Sequence, residues 1–420
     1  MLEKNDISFT DKHRQLINQA YRADEREIIE HLLSYASLSK TDNHAIHNEA
    51  IRLVKYIRKA QKNTTGIESF LAEYSLSSEE GIALMCLAEA LLRVPDNVTI
   101  DSLIKDKLTT SNWAAHLGKS DSFFVNAATW ALILTGKCLS PERGRTLLTR
   151  GLLKLTSRGS ESVIRRAVDK AMRIMSTQFV MGKSIEDALM RAKVKEQQGF
   201  CYSYDCLGEA ALTEDDAKRY FADYQNAIKK IGQFNNIDDI SRKPGISVKL
   251  SALHPRYQEA QRARVLTQLT PKLLALAQLA KKHDISFTID AEESERLDIS
   301  LDIIAQVFQD KSLAGWQGFG IAVQAYQKRA FYVLDWLAAL ARSQQKRINV
   351  RLIKGAYWDS EIKKTQMQGL KQYSVFTRKS FTDVSFQACA KKMLTLTDAI
   401  YPQFATHNAY SVATILTLAK

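Results

Sequence analysis

From about Gly199 onward, short apolar runs alternate with amphipathic stretches of helical period, and this alternation limits the possible folds more than any other feature of the chain. The runs are FCYSYDCLG, GISVKLSAL, DISFTID, GFGIAVQAY, INVRLIKGAY and IYPQFATHN. Between most of them lie segments such as ARVLTQLTPKLLALAQLAKKHD and RAFYVLDWLAALARSQ. Strands that alternate with helices of this length form a parallel sheet, either doubly wound or closed into a (β/α)8 barrel. Two features favour the barrel. Gly318 and Gly320 fall inside a strand pattern rather than in the turn after it, so the glycine signature of the dinucleotide-binding doubly wound fold is missing. Polar residues also recur at the C-terminal ends of the runs: Asp205 and Glu209, Lys249, Asp290, Gln324, Arg351 with Lys354, then Thr406 with His407. A closed barrel gathers such ends around one mouth, whereas an open sheet leaves several far apart.

Upstream the periodicity is helical. Residues 1–62 read as a polar arm whose apolar stripe (Ile17, Tyr21, Ile28, Leu32, Leu33) is too narrow for a core of its own, so it should pack on the rest of the chain or on a second subunit. Residues 63–182 read as a helical domain: SLSSEEGIALMCLAEALLRVP pairs Ser77 with Glu80 in capping-box spacing and stops at Pro95, and further helices run to Gly182. Residues 183–420 carry the strand–helix units. Six units are present where a closed barrel needs eight, and the chain stops inside the helical pattern SVATILTLAK. The expected fold is therefore α/β, a partial (β/α)8 TIM-like barrel preceded by an all-α arm and a helical domain.

Lys and Arg exceed Asp and Glu by 59 − 46 = 13, which attracts anions, but the basic residues are scattered and form no block. A generally basic enzyme surface fits better than a nucleic-acid face. The five cysteines are odd in number and form no C-x-x-C pair, so neither a disulfide framework nor a zinc site is suggested. The first residues lack the apolar core of a secretory signal, and the most apolar stretch, FFVNAATWALILTG, is short and contains Asn126. The expectation is a cytoplasmic protein with no membrane span, able to lie at the inner face of a membrane.

Each strand-end residue has a plain alternative. Lys249 fits a Schiff-base lysine, a carboxylate-binding cation or a structural ion pair. Asp290 in TIDAEE fits a helix N-cap, and His407 fits a satisfied core histidine. Gln324 is harder to dismiss, because an amide at the end of an apolar strand must find partners. His44 and His47 read as surface residues, and no spacing makes a metal site. Together the strand ends suit a polyanionic, hydrogen-bonding ligand such as a dinucleotide or a phosphorylated cofactor. Tyr357 and Trp358 supply aromatic faces, and Gly355 lets the backbone approach a phosphate.

GISVKLSALHPRY, IDAEESERLDISLD, GFGIAVQAYQKR, RLIKGAYWDSEIKKTQMQGL, YSVFTRKSFTDVSFQACAKKML and YPQFATHNAYSVATI resemble the proline dehydrogenase domain of the bifunctional proline utilisation A proteins. YSLSSEEGIALMCLAEALLRVPD resembles their helical domain, and the first sixty or so residues resemble their dimerisation arm. The resemblance implies an FAD enzyme that oxidises L-proline to Δ1-pyrroline-5-carboxylate, passes the electrons to a membrane quinone and forms a homodimer or other homo-oligomer. It implies that Lys249 binds the proline carboxylate, that Asp290 lies beside substrate and flavin, and that Tyr357 covers the substrate. Glu209 matches an acidic residue that pairs with a gating arginine. Gln324, Arg351, Lys354, Gly355, Ala356, Trp358, Thr377, Thr406 and His407 match positions that hold FAD, and Leu352 matches one that packs against the flavin. The family's last barrel units, with a helix of paired arginines, and its C-terminal NAD-dependent glutamate semialdehyde dehydrogenase have no counterpart in these 420 residues, so this chain alone is expected to be catalytically poor or inactive. No ribbon–helix–helix segment precedes the arm, so specific DNA binding is not expected. The competing reading is a Schiff-base lyase on a (β/α)8 barrel using Lys249.

Overall fold

The computed structural model describes residues 8–61, 99, 180–206, 208–233 and 239–420. The Ser77–Glu80 capping box, the stop at Pro95 and the apolar stretch around Asn126 lie outside them. The chain divides into two compact units, Met1–Leu53 with Lys193–Lys420, and Val54–Ala192. These divisions fall at 53/54 and 192/193, where the sequence pattern suggested 62/63 and 182/183. In the second unit, the Arg191 guanidinium donates to the carbonyls of Val180 and Met181, at 3.1 and 2.7 Å.

The first unit holds six strands: β1 (Ser203–Asp205), β2 (Gly245–Val248), β3 (Phe287–Ile289), β4 (Phe319–Gln324), β5 (Ile348–Ile353) and β6 (Ile400–Phe404). They pair in parallel in the order β1-β2-β3-β4-β5-β6, one per apolar run expected from the sequence. Gly320 lies inside β4, whereas Gly318 stands just before it and its carbonyl accepts the Phe287 N–H. Both precede the end of the strand, so neither lies in the turn after β4.

Alternation along the strands sorts the residues into two faces. One face is apolar, with Ile246, Val248, Phe287, Ile289, Phe319, Ile321, Val323, Val350 and Leu352 all buried. Helix Glu214–Gln233 lies against β2, Ala330–Ser343 against β4 and β5, and Lys379–Thr395 against β5 and β6, while Phe308 of helix Leu297–Phe308 sets its ring 5.5 Å from that of Phe319. The other face is small or polar: Ser203, Ser247, Thr288, Gly320, Ala322, Asn349 and Arg351.

Arg351 shows that this second face curls inward. Its guanidinium donates to Ser247 Oγ on β2 at 2.9 Å and to Ser203 Oγ on β1 at 2.8 Å. At about 4.8 Å per strand, a flat sheet would put β2 roughly 14 Å and β1 roughly 19 Å from β5, beyond the reach of an arginine side chain. The strands therefore wrap around a polar interior in barrel fashion.

The arm supplies α1 (Ser8–Ala20) and α2 (Glu25–Ala36). Ile17, Ile28 and Leu32 are buried as expected, but Leu33 is 46% exposed and not part of the stripe. The stripe packs on the chain's own first unit, α1 against helix Ala330–Ser343 and α2 against helix Lys379–Thr395. Arg14 donates to Asp302 at 3.0 Å and lies over the Trp336 ring, and buried Arg329 sits 4.0 Å from the Tyr21 ring centre while donating to Asp298 at 2.9 Å. Such desolvated cations hold the arm in one register.

Candidate active site

Lys249 follows β2 and stands just before the short helix Leu250–Leu253. Its backbone N–H donates to the hydroxyl of buried Tyr224 at 3.2 Å, which fixes where the strand ends. Its ammonium donates to both carboxylate oxygens of Asp205, at 3.1 and 3.0 Å, and more distantly to Asp290, at 3.4 Å. Strand register explains the meeting: Asp205 pairs with Ser247 and Val248 with Ile289, so Lys249 and Asp290 each stand one residue past adjacent strand ends. The second oxygen of Asp290 takes a hydrogen bond from Arg351 at 3.3 Å.

Burial works against the Lys249 ammonium, but Asp205, then Asp290 and Glu209, outweigh it and hold the amine above its ordinary pKa. Asp290 also moves up, because burial dominates despite Lys249 and Arg351. The two directions agree if Asp205 is the principal counter-ion of Lys249 and Asp290 is a desolvated carboxylate at its flank. The N-cap reading of Asp290 falls, since the next helical turn, Ser294–Arg296, starts after Glu293.

Glu209 is exposed on the loop after β1, where Gly208 and Ala210 take positive φ of 135° and 54°. Ser251 holds that loop, accepting the Ala210 N–H at 3.1 Å while donating its hydroxyl proton to buried Glu292. Burial, with the fields of Glu209, Glu292, Glu293 and Asp290, pushes the Tyr357 hydroxyl up and keeps it protonated. Burial and nearby Asp205 raise the Cys206 thiol to about 11, too high for a nucleophile near neutrality.

The second half of the mouth lies over β4 to β6. The Gln324 amide donates to the Glu292 carbonyl at 2.8 Å and accepts the Ala356 N–H at 3.0 Å, tying the β3 and β5 loops together. Gly355 has φ 153°, and a Cβ there would come within 2.4 Å of the Tyr326 ring, so only glycine fits. Lys354 donates to Asp383 at 2.6 Å. Trp358, 41% exposed, donates its indole N–H to the Phe376 carbonyl at 2.8 Å. Thr406 accepts the Asn408 N–H at 3.1 Å, and His407 is exposed, which removes its core-histidine reading. Leu352 is fully buried and alternates with Arg351, which puts it on the helix-facing side of β5. Thr377 is engaged by Glu25 of the arm. His44 and His47 are exposed, as expected.

Residues 188–420 match the family described as proline dehydrogenase, which covers more than half of the chain. The chain belongs to the proline dehydrogenase family. Residues 12–58 match the N-terminal domain of proline utilization A proline dehydrogenase, and residues 66–179 match a domain described as the DNA-binding domain of proline dehydrogenase. All but Thr99 of the latter lie outside the described residues. The chain is 51% identical over 410 residues to the bifunctional protein PutA of Escherichia coli (strain K12), and 49% identical to that of Rhizobium meliloti. These alignments cover 97% of this chain but 31% and 32% of those proteins, so the chain is homologous to their N-terminal part and spans about a third of their length. Bradyrhizobium japonicum proline utilization A superposes with a TM-score of 0.70 at 47% identity, covering 95% of this chain and 40% of that one.

Within the proline dehydrogenase domain, the groups that hold the strand-end residues were not visible in the sequence. Ser203 and Ser247 under Arg351, Tyr224 under Lys249, and Glu292 under the Glu209 loop carry no local signal. Asp205 was visible as a strand-end carboxylate, but nothing in the sequence joined it to Lys249.

Proposed function

We propose that the chain oxidises L-proline to Δ1-pyrroline-5-carboxylate with FAD as the electron acceptor, within a longer bifunctional protein that delivers the electrons to a membrane quinone. The observation that carries this reading is the Asp205–Lys249–Asp290–Arg351 cluster. It sets two cations and two carboxylates within one side-chain length at the barrel mouth, complementary to a small zwitterion. Lys249 binds the substrate carboxylate, sharing its ammonium with Asp205. Asp290 and Glu209 favour the approach of the substrate amine, and Tyr357 closes over the ring. Arg351, Lys354, Gln324, Gly355, Ala356, Trp358, Thr377, Thr406 and His407 would hold the cofactor, while Leu352 backs β5 from behind.

The residue types fit a flavin dinucleotide. A glycine that tolerates no side chain, an exposed indole and two partly exposed cations suit a large, flat, anionic group. When bound, FAD supplies the two-electron acceptor that none of these side chains can provide. The side chains themselves fix the carboxylate, orient the ring carbon beside the nitrogen and keep the Tyr357 proton in place.

The lyase alternative needs a neutral Lys249, and the bidentate Asp205 contact favours the ammonium. Among the described residues no helix is long and apolar enough to cross a membrane. A homo-oligomer and a downstream NAD-dependent dehydrogenase belong to the same reading. The test is to load the purified chain with FAD and add L-proline without oxygen. Bleaching of the flavin band supports the reading, and a chain that takes up no flavin, or traps a carbonyl substrate on Lys249 with borohydride, overturns it.

A further inference from the structure

The arm meets the loop that carries Thr377 through the start of α2. The Thr377 backbone N–H donates to one oxygen of the Glu25 carboxylate at 3.1 Å, and its hydroxyl donates to the other at 2.9 Å. The turn before α2 is fastened to the same loop. The Arg22 guanidinium donates to the Gln372 carbonyl at 3.0 Å, and the Gln372 amide donates to Asp24 at 3.1 Å. Buried Lys328 donates to the Ala23 carbonyl at 2.8 Å. From Thr377 the loop connects directly to the mouth. The Phe376 N–H donates to Tyr326 O at 2.8 Å, the Tyr326 N–H donates to Lys354 O at 2.7 Å, and the Phe376 carbonyl holds the Trp358 indole.

A threonine has one hydroxyl proton and one backbone N–H, and a carboxylate can only accept. Both donors of Thr377 are therefore spent on Glu25, and the hydroxyl oxygen is left with lone pairs alone. A phosphate brought to Thr377 would meet only acceptors, with the Glu25 charge behind them. A hydroxyl or N–H of a ligand would complete the bond.

We propose that Glu25 is a positioning residue of the cofactor site: it fixes Thr377 as an acceptor, so the part of the dinucleotide that meets Thr377 is a sugar hydroxyl or a ring or exocyclic N–H, not a phosphate. This rests on the FAD reading above. It also gives the arm a task in its own subunit's site, since α2 then sets the polarity of a cofactor contact as well as covering helix Lys379–Thr395.

The test uses the full chain with four substitutions, Glu25→Ala, Glu25→Gln, Thr377→Val and Thr377→Ser. Three quantities are read: the FAD dissociation constant from flavin fluorescence, the melting temperature without flavin, and hydrogen exchange at the Thr377 amide. Glu25→Ala and Thr377→Val should each weaken FAD binding by about tenfold, the loss of one well-made hydrogen bond. Their combination should be no worse than either alone, because Glu25 acts through Thr377. Thr377→Ser should bind like the original, Glu25→Gln should fall between, and the Thr377 amide should exchange faster in Glu25→Ala before any flavin is added. If Glu25→Ala does not fold, Glu25→Gln and Thr377→Val carry the comparison. A Glu25→Ala protein that melts lower but binds FAD unchanged overturns the proposal, because the contact is then structural only. Tighter FAD binding in Glu25→Ala also overturns it, since Glu25 would then be competing with a phosphate for the Thr377 donors. If the unsubstituted chain takes up no flavin at all, the underlying FAD reading fails, and this inference fails with it.

Discussion

Lys249 and Lys346 stand at opposite ends of the same barrel, and they are treated in opposite ways. Lys249, at the C-terminal mouth, faces the carboxylates of Asp205 and Asp290 and is held above its ordinary pKa. Lys346, just before β5 at the other end, is 7% exposed and donates to the carbonyls of Phe308, at 2.6 Å, and Leu313, at 3.3 Å. Among the described residues no carboxylate forms an ion pair with it, its nitrogen lies 4.0 Å from the Phe308 ring centre, and burial with repulsion from Lys281 outweighs the field of Asp310 and brings it down to about 8. At the mouth, two cations and two carboxylates stand together at the strand ends. At the floor, an amine caps the end of helix Leu297–Phe308 and serves packing. This is the division of labour expected of strand ends and strand starts in a (β/α)8 barrel.

The largest expected effect breaks the mouth. Lys249→Met takes away the cation between Asp205 and Asp290 and leaves Arg351 alone on the far oxygen of Asp290. The kcat/KM for proline-dependent dye reduction should fall on the order of a hundredfold or more against the unsubstituted protein, with flavin content retained. A Lys249→Met protein of ordinary activity would remove the distinction between the two lysines.

Gly355→Ala comes next. A methyl group meets the Tyr326 ring at a backbone angle that disfavours side chains, so folding should lose about 1–3 kcal/mol and flavin binding should weaken in parallel. Thermal melting with and without FAD separates the two losses. A variant that melts normally and binds FAD normally would show that the β5 loop is looser than its contacts imply.

Asp205→Asn sharpens the comparison instead of breaking it. The amide can still accept one bond from Lys249 but no longer neutralises it, so KM for proline should change by about five- to tenfold while kcat moves less. The pH profile gives the decisive reading. Lys249 binds carboxylate only while protonated, so KM rises as pH climbs through its pKa. With Asp205 neutral, the elevation of that pKa is reduced and the rise begins at lower pH. An unshifted alkaline limb would make Asp290, not Asp205, the counter-ion.

The contrast between the two ends also explains what could be read from the sequence. Six apolar runs became six strands in the expected order, and the polar residues closing them became the mouth, because pleat alternation and crossover length act locally. Partnerships across the barrel were not legible. Arg351 meets Ser203 across 148 residues, Lys249 meets Asp205 across 44, and Thr377 meets Glu25 across 352. Each depends on how far the sheet curls or where the arm lands, and curl is a property of the whole strand set. Two local alternatives failed for the same reason. Asp290 caps no helix and His407 sits in no core, although each motif permitted it.

The smallest effect is expected at the floor, in stability alone. The unfolded chain holds the Lys346 proton up to about its ordinary 10.5, whereas the folded chain releases it near 8. Between those values the unfolded state binds more protons, so folding gains stability as pH rises through this window and loses it as pH falls through 8. Lys346→Met removes both the two carbonyl caps and this slope. The substituted protein should melt lower at every pH, and the gap to the original should widen by about a few degrees from pH 7.5 to 10. Flavin affinity and KM should not change, because every Lys346 partner belongs to the end of the barrel away from the mouth. A constant gap across that range would mean that Lys346 stays charged in the fold. The floor lysine would then resemble the mouth lysine, and burial without a carboxylate would no longer account for the difference between them.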